Sequence, residues 1–150
     1  MNSKDEEVRA SFSFYPVDSR ALRQLTLALR DRGLDVQRTD AFRLLLHLAT
    51  ELEMMAHATL RLRAEENAPA SAEMADERFT VRLQKSWLDK LDRAVDELLR
   101  KDVQVERTYV ARALIHANYD AKALAKQAER FLLDRPDKRR RATRSTPKRQ

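Results

Sequence analysis

Residues 78–83 read RFTVRL, with Phe79, Val81 and Leu83 alternating against Arg78, Thr80 and Arg82. A strict period of two over six residues marks a β-strand with one face in a core and the other in water. Directly after it, Ser86 with Asp89 three positions on suggests an approximate capping box. Trp87, Leu88, Leu91, Ala94, Val95, Leu98 and Leu99 then follow at helical spacing, giving a first helix. A polar break at 101–104 separates it from a second helix, from about 107 to 118.

The same plan is written earlier in the chain. VQRTDAFRLLLHLA (36–49) lines up with VERTYVARALIHA (105–117) at a constant displacement: Arg38 falls on Arg107 and His47 on His116, each 69 residues apart. Val36/Val105, Thr39/Thr108, Arg43/Arg112, Leu45/Leu114, Leu29/Leu98, Leu22/Leu91 and Arg9/Arg78 share that register without a gap. One ungapped offset that also preserves the apolar pattern points to an internal duplication. In the first copy Phe12 and Phe14 alternate with Ser11, Ser13 and Tyr15 as a short strand. A helix with Leu22, Leu25 and Leu29 inward follows, and Gly33 stands where a left-handed C-terminal cap would fall. The second helix is expected from Arg38 through Leu44, Leu45, Leu46, Leu48, Leu52 and Met55, as far as Arg63.

The organisation expected is thus copy 1 over 8–63, a polar, aperiodic linker over 64–77, copy 2 over 78–118, a C-terminal helix over 119–134 with Phe131 on its apolar stripe, and a disordered basic tail over 135–150. The tail decides how the charge should be read. The chain carries +6 over 150 residues, and residues 135–150 alone hold eight Lys or Arg and one Asp, so the rest sums to −1. A case for nucleic acid must therefore rest on placed residues, and the tail itself offers sequence-independent affinity for phosphate or simple solubility. With no cysteine, disulfides and thiolate metal sites are excluded. The start, MNSKDEEVRA, lacks the apolar core of a secretory signal, and no apolar run reaches the ~18 residues of a membrane span, so a cytoplasmic, soluble protein without membrane partners is expected.

One short strand and two helices cannot fold alone, because the strand leaves a row of unpaired backbone donors and acceptors. Two such units solve the problem if their strands pair antiparallel. In order and spacing, RFTVRLQKSWLDKL…VERTYVARAL resembles the ribbon–helix–helix proteins, the Arc and MetJ group. The resemblance covers 8–118 and implies a mainly α fold with one two-stranded antiparallel β-ribbon. The two copies would form a tandem ribbon–helix–helix pseudodimer, with the C-terminal helix added. Such single-chain tandem forms are similar to TraY-type conjugation accessory proteins and to the overdrive-binding protein of Agrobacterium T-DNA transfer. Copy 1 departs by Tyr15 and Pro16 where copy 2 has Gln84 and Lys85, and copy 2 by Asp102 where copy 1 has Gly33.

The resemblance implies sequence-specific binding of double-stranded DNA by a ribbon in the major groove, in a transcriptional regulator or a DNA-transfer accessory factor of a mobile element. Strand alternation sends Arg78, Thr80 and Arg82 outward, and Arg9, Ser11 and Ser13 are their counterparts; arginine can fork onto guanine, and threonine can bond a base or pack on a thymine methyl. The two strands differ, so the site need not be palindromic. Arg38-Thr39 and Arg107-Thr108 open the second helices, where an arginine is disfavoured by the helix dipole unless an anion docks there. They are the expected phosphate contacts, against the alternative that each arginine reaches an acid such as Asp35, Asp40 or Glu106. His47 and His116 fit helix crossings, and Arg43 and Arg112 either fix those crossings or touch phosphate. No phosphate loop, nucleophile–base set or metal-ligand cluster appears, so neither an enzyme nor a cofactor is expected. The rival class is a helical protein-interaction module or an antitoxin that holds a partner through the C-terminal helix; self-association on DNA stays open.

Overall fold

The computed structural model describes residues 6–49, 51–66, 77–117 and 124–128. Among them the chain runs β1 (Glu7–Phe14), α1 (Pro16–Asp31), α2 (Arg38–Leu48), α3 (Leu52–Glu65), β2 (Glu77–Gln84), α4 (Lys85–Arg100) and α5 (Arg107–His116). This is a mainly helical fold with one two-stranded antiparallel sheet. Among the described residues no helix is long and apolar enough to cross a membrane.

The two strands pair residue for residue from Glu7 with Gln84 to Phe14 with Glu77. Their inner face carries Ala10, Phe12, Phe14, Phe79, Val81 and Leu83, all buried. Phe42 of α2 rises beneath it, its ring 5.3 Å from Phe12, 6.0 Å from Phe14 and 5.3 Å from Phe79, each edge-on. Leu22 and Leu29 of α1, Leu91 and Leu98 of α4, and Leu45 and Leu114 of α2 and α5 complete one core. Trp87 belongs to it, as its helical spacing implies.

Element bounds repeat at the spacing seen in the sequence. Adding 69 to the first residues of α1 and α2 gives the first residues of α4 and α5. The bends after α1 and α4 match too: Gly33 has φ +89° and Asp102 has φ +63°. In both, the turn bonds the second residue past the cap back to Leu29 or Leu98 (Leu34 N–H to Leu29 carbonyl 3.3 Å, Val103 N–H to Leu98 carbonyl 2.8 Å), closing the helix in a Schellman turn.

Three expectations change. The second helix of copy 1 is two helices: α2 ends at Leu48 and α3 begins at Leu52, around an Ala49 at φ −83°, ψ 82°. The bend lays α3 against α4 and α5, where Met55 and Ala56 join the common core; a straight helix would carry them past it. At the start of α4, Gln84 and not Ser86 is the N-cap. The ladder sets that point, because Lys85 N–H donates to the Glu6 carbonyl at 2.7 Å and holds the chain extended up to the first helical residue. The linker expected over 64–77 also loses its ends, Ala64 and Glu65 to α3 and Glu77 to β2. Of the C-terminal helix, 124–128 is helical with Leu124 and Ala128 buried; Phe131 and the basic tail lie outside the described residues.

A Cβ at Gly33 would meet nothing within 4 Å, so substitution there costs backbone strain alone. Gly33→Ala should lower stability by about 1 kcal/mol, and Gly33→Asn by clearly less, because Asn and Asp tolerate left-handed φ as Asp102 does. Urea denaturation of both variants checks this, and an Asn variant no better than the Ala variant would contradict it.

Candidate nucleic-acid interface

The outer face of the sheet is built by alternation. With the apolar set turned inward, Arg9, Ser11 and Ser13 of β1 and Arg78, Thr80 and Arg82 of β2 are all exposed. The register sets Arg9 opposite Arg82, Ser11 opposite Thr80 and Ser13 opposite Arg78. The six expected base-contacting residues therefore share one surface, two strands wide. Ser11 and Thr80 bond hydroxyl to hydroxyl at 2.9 Å across its centre. Among the described residues Arg9 and Arg78 have no ion-pair partner, whereas Arg82 Nε lies 3.6 Å from Glu7 at the strand end. From below, Arg43 Nε donates to the Arg82 carbonyl at 2.8 Å, tying α2 to the strand.

Two helix N-termini flank this surface. Thr39 and Arg38 at the start of α2 line one cleft with Arg78 and Thr80. Thr108 at the start of α5 lines another with Ser13 and Tyr15. Arg38, Thr39 and Thr108 thus adjoin the ribbon, and Arg107 precedes Thr108 at the start of α5. Neither arginine is idle: Arg38 forks onto Glu77, with Nη1 to Oε1 at 3.1 Å, and Arg107 forks onto Asp92 with both bonds at 2.9 Å. The acids are thus not the Asp35, Asp40 or Glu106 that lie nearby in sequence. The hydrogen bonds that Arg38 and Arg107 donate to Glu77 and Asp92 raise the pKa values of both arginines, and Arg38 lowers that of Glu77. These pairs are solvent-accessible, and exposed ion pairs contribute only ~0–1 kcal/mol. A phosphate could replace the Asp92 carboxylate at small cost, whereas Glu77 is half-buried and also accepts from Ser19.

The strongest polar cluster was not legible as such in the sequence. Arg112 of α5 is 5% exposed, with its Nε 2.6 Å from Asp18 Oδ2 and its Nη2 on Glu66. Its guanidinium stands 4.5 Å over the Tyr15 ring and 5.3 Å from that of Tyr109. His116, one turn on, meets the other Asp18 oxygen at 2.7 Å, and the Tyr15 N–H donates to Asp18 at 2.8 Å. Burial pushes the Asp18 carboxyl up, but His116, Arg112 and the Tyr15 N–H outweigh it, and its pKa lies below the ordinary value. Burial, together with the Glu66 carboxylate, pushes the Tyr109 phenol up to about 12. Arg112 therefore fixes a helix crossing. The repeated Arg-x-x-x-His of both copies was the available signal; what it could not show is Asp18, 94 residues away.

The matching crossing is built differently. Where α1 has Asp18, α4 has Trp87 at the same offset, and His47 faces its ring edge-on at 6.0 Å. No family model, curated protein or solved structure matches the chain.

Asp18 has a depressed pKa in the folded protein, so its ionised form contributes stability above the unfolded carboxylate pKa near ~3.9, and this is lost as pH falls through the folded value. Asp18→Asn should cost about 3 kcal/mol or more at pH 7, since it leaves a buried guanidinium half-compensated. The gap to the parent should narrow below pH 4. Urea midpoints at pH 7 and pH 3 test this; a gap independent of pH would contradict it.

Proposed function

We propose that the chain is a sequence-specific double-stranded DNA-binding protein that inserts the β1–β2 ribbon into the major groove, as a single-chain ribbon–helix–helix pseudodimer. The observation that carries this is the exposed outer face of the ribbon. Six residues able to reach base edges point away from the core on two paired strands, and a two-stranded ribbon matches the width of that groove.

The tandem architecture is supported by the repeated element bounds and by the pairing of Ser11 with Thr80, residues that are equivalents under the 69-residue offset. A twofold axis through that pair would exchange β1 with β2, and with them α1 with α4 and α2 with α5. Arg38, Thr39, Arg107 and Thr108 then hold phosphates on either side, with Asp92 giving way at Arg107. Phosphate contacts position the protein, and Arg9, Arg78, Arg82 and their neighbours read the bases. By its resemblance the protein acts as a transcriptional regulator or as an accessory factor in DNA transfer by a mobile element; both use the same chemistry.

In an anisotropy titration on selected and random duplexes, Arg78→Ala/Arg82→Ala should lose most of its discrimination, because a bidentate arginine–guanine contact is worth ~1–3 kcal/mol. Weak, salt-sensitive binding to any duplex should remain. Parent-like discrimination by the double variant, with its fold intact, would overturn the reading.

A further inference from the structure

We propose a second phosphate-binding surface on one side of the ribbon only: the cleft between α1 and the start of α2, lined by Arg20, Arg23, Arg30 and Arg38, which takes the DNA backbone beyond the base-read site. This rests on the DNA-binding reading above and extends it to a directional footprint.

The cleft has four arginines and no carboxylate among its lining residues. Arg20, Arg23 and Arg30 are exposed, and among the described residues Arg20 and Arg23 have no hydrogen-bond or ion-pair partner. Arg30 is aimed by a bond from its Nε to the Val36 carbonyl at 2.8 Å, which leaves its outer N–H groups available. Arg30 and Arg38 also line the adjoining cleft with Arg78 and Thr80, so the arginines of α1 and of the ribbon border neighbouring clefts. The one carboxylate of that adjoining cleft, Glu77, already accepts from Arg38 and from Ser19 Oγ at 2.6 Å, and so offsets one of the four charges.

The second copy turns acidic at two of these four positions: the offset carries Arg20 to Asp89 and Arg23 to Asp92, Arg30 to Leu99, and keeps Arg38 as Arg107, while Leu27 becomes Asp96. Asp92 holds Arg107, and Asp89 adds to the field that raises the Arg107 pKa. A phosphate approaching along α4 meets carboxylates, and one approaching along α1 meets unpaired guanidinium groups. The α1 helix, 16 residues and about 24 Å long, could follow several phosphates past the ribbon. The ribbon chooses the sequence; the α1 face extends the backbone contact on its own flank, beyond the phosphates held at the helix starts.

The test compares the parent with Arg20→Ala/Arg23→Ala, and with Arg93→Ala/Lys101→Ala as a control that removes two exposed cations from copy 2. Affinity for one duplex is measured over a salt series, and hydroxyl-radical footprints are compared. Losing two phosphate contacts should lower the log–log salt slope by about 1.8, weaken binding roughly tenfold or more near ~0.1 M salt, and shorten the footprint on one flank alone. The control should keep the parent's slope and footprint. A first variant with the parent's slope and footprint, or one that shortens both flanks, overturns the proposal while leaving the ribbon reading intact. Failure of the parent to bind any duplex removes both.

Discussion

The antiparallel pairing of β1 with β2 is the constraint on which everything else depends. Each strand alone exposes a full row of backbone N–H and C=O groups, and an isolated pair is marginal in water. Here the partners come from distant parts of the chain, and their eight-residue register turns the phenylalanines inward over α2 while leaving arginines and hydroxyls outside. The same bonds that complete the fold thus create its most chemically distinctive surface. Because Lys85 is still bonded to Glu6 as α4 begins, the ladder also decides where α4 starts.

The two halves share a plan but not a chemistry. One helix crossing is a buried cluster of Asp18, Arg112 and His116; the other sets His47 against Trp87. Removing Asp18 from the first leaves Arg112 with Glu66 alone, a costly half-compensated charge, whereas the second sets an imidazole edge-on against an indole ring. The α1 flank is basic where the α4 flank is acidic. On the outer face the offset turns Ser13 into Arg82.

Much of the fold was legible. Alternation in RFTVRL gave the second strand and its outward residues, the constant offset gave the first, and Gly33 marked the end of α1. What was missed has local causes. Leu44, Leu45, Leu46 and Leu48 are apolar on every side, so periodicity could not reveal the bend before α3. Ser86 carries a good local capping signal that strand pairing overrides. The acid partners were out of reach for another reason: Glu77 lies 39 residues from Arg38, and Asp18 94 from Arg112, so only the tertiary fold makes them neighbours.

The most direct test of the account is methylation interference on a selected duplex. Dimethyl sulfate marks guanine N7 in the major groove and adenine N3 in the minor groove, so one reaction reports both faces. With the ribbon in the major groove, N7 methylation at guanines within the site blocks binding and adenine N3 methylation there does not. Interference confined to adenine N3, or spread over both grooves without preference, would contradict a ribbon seated in the major groove.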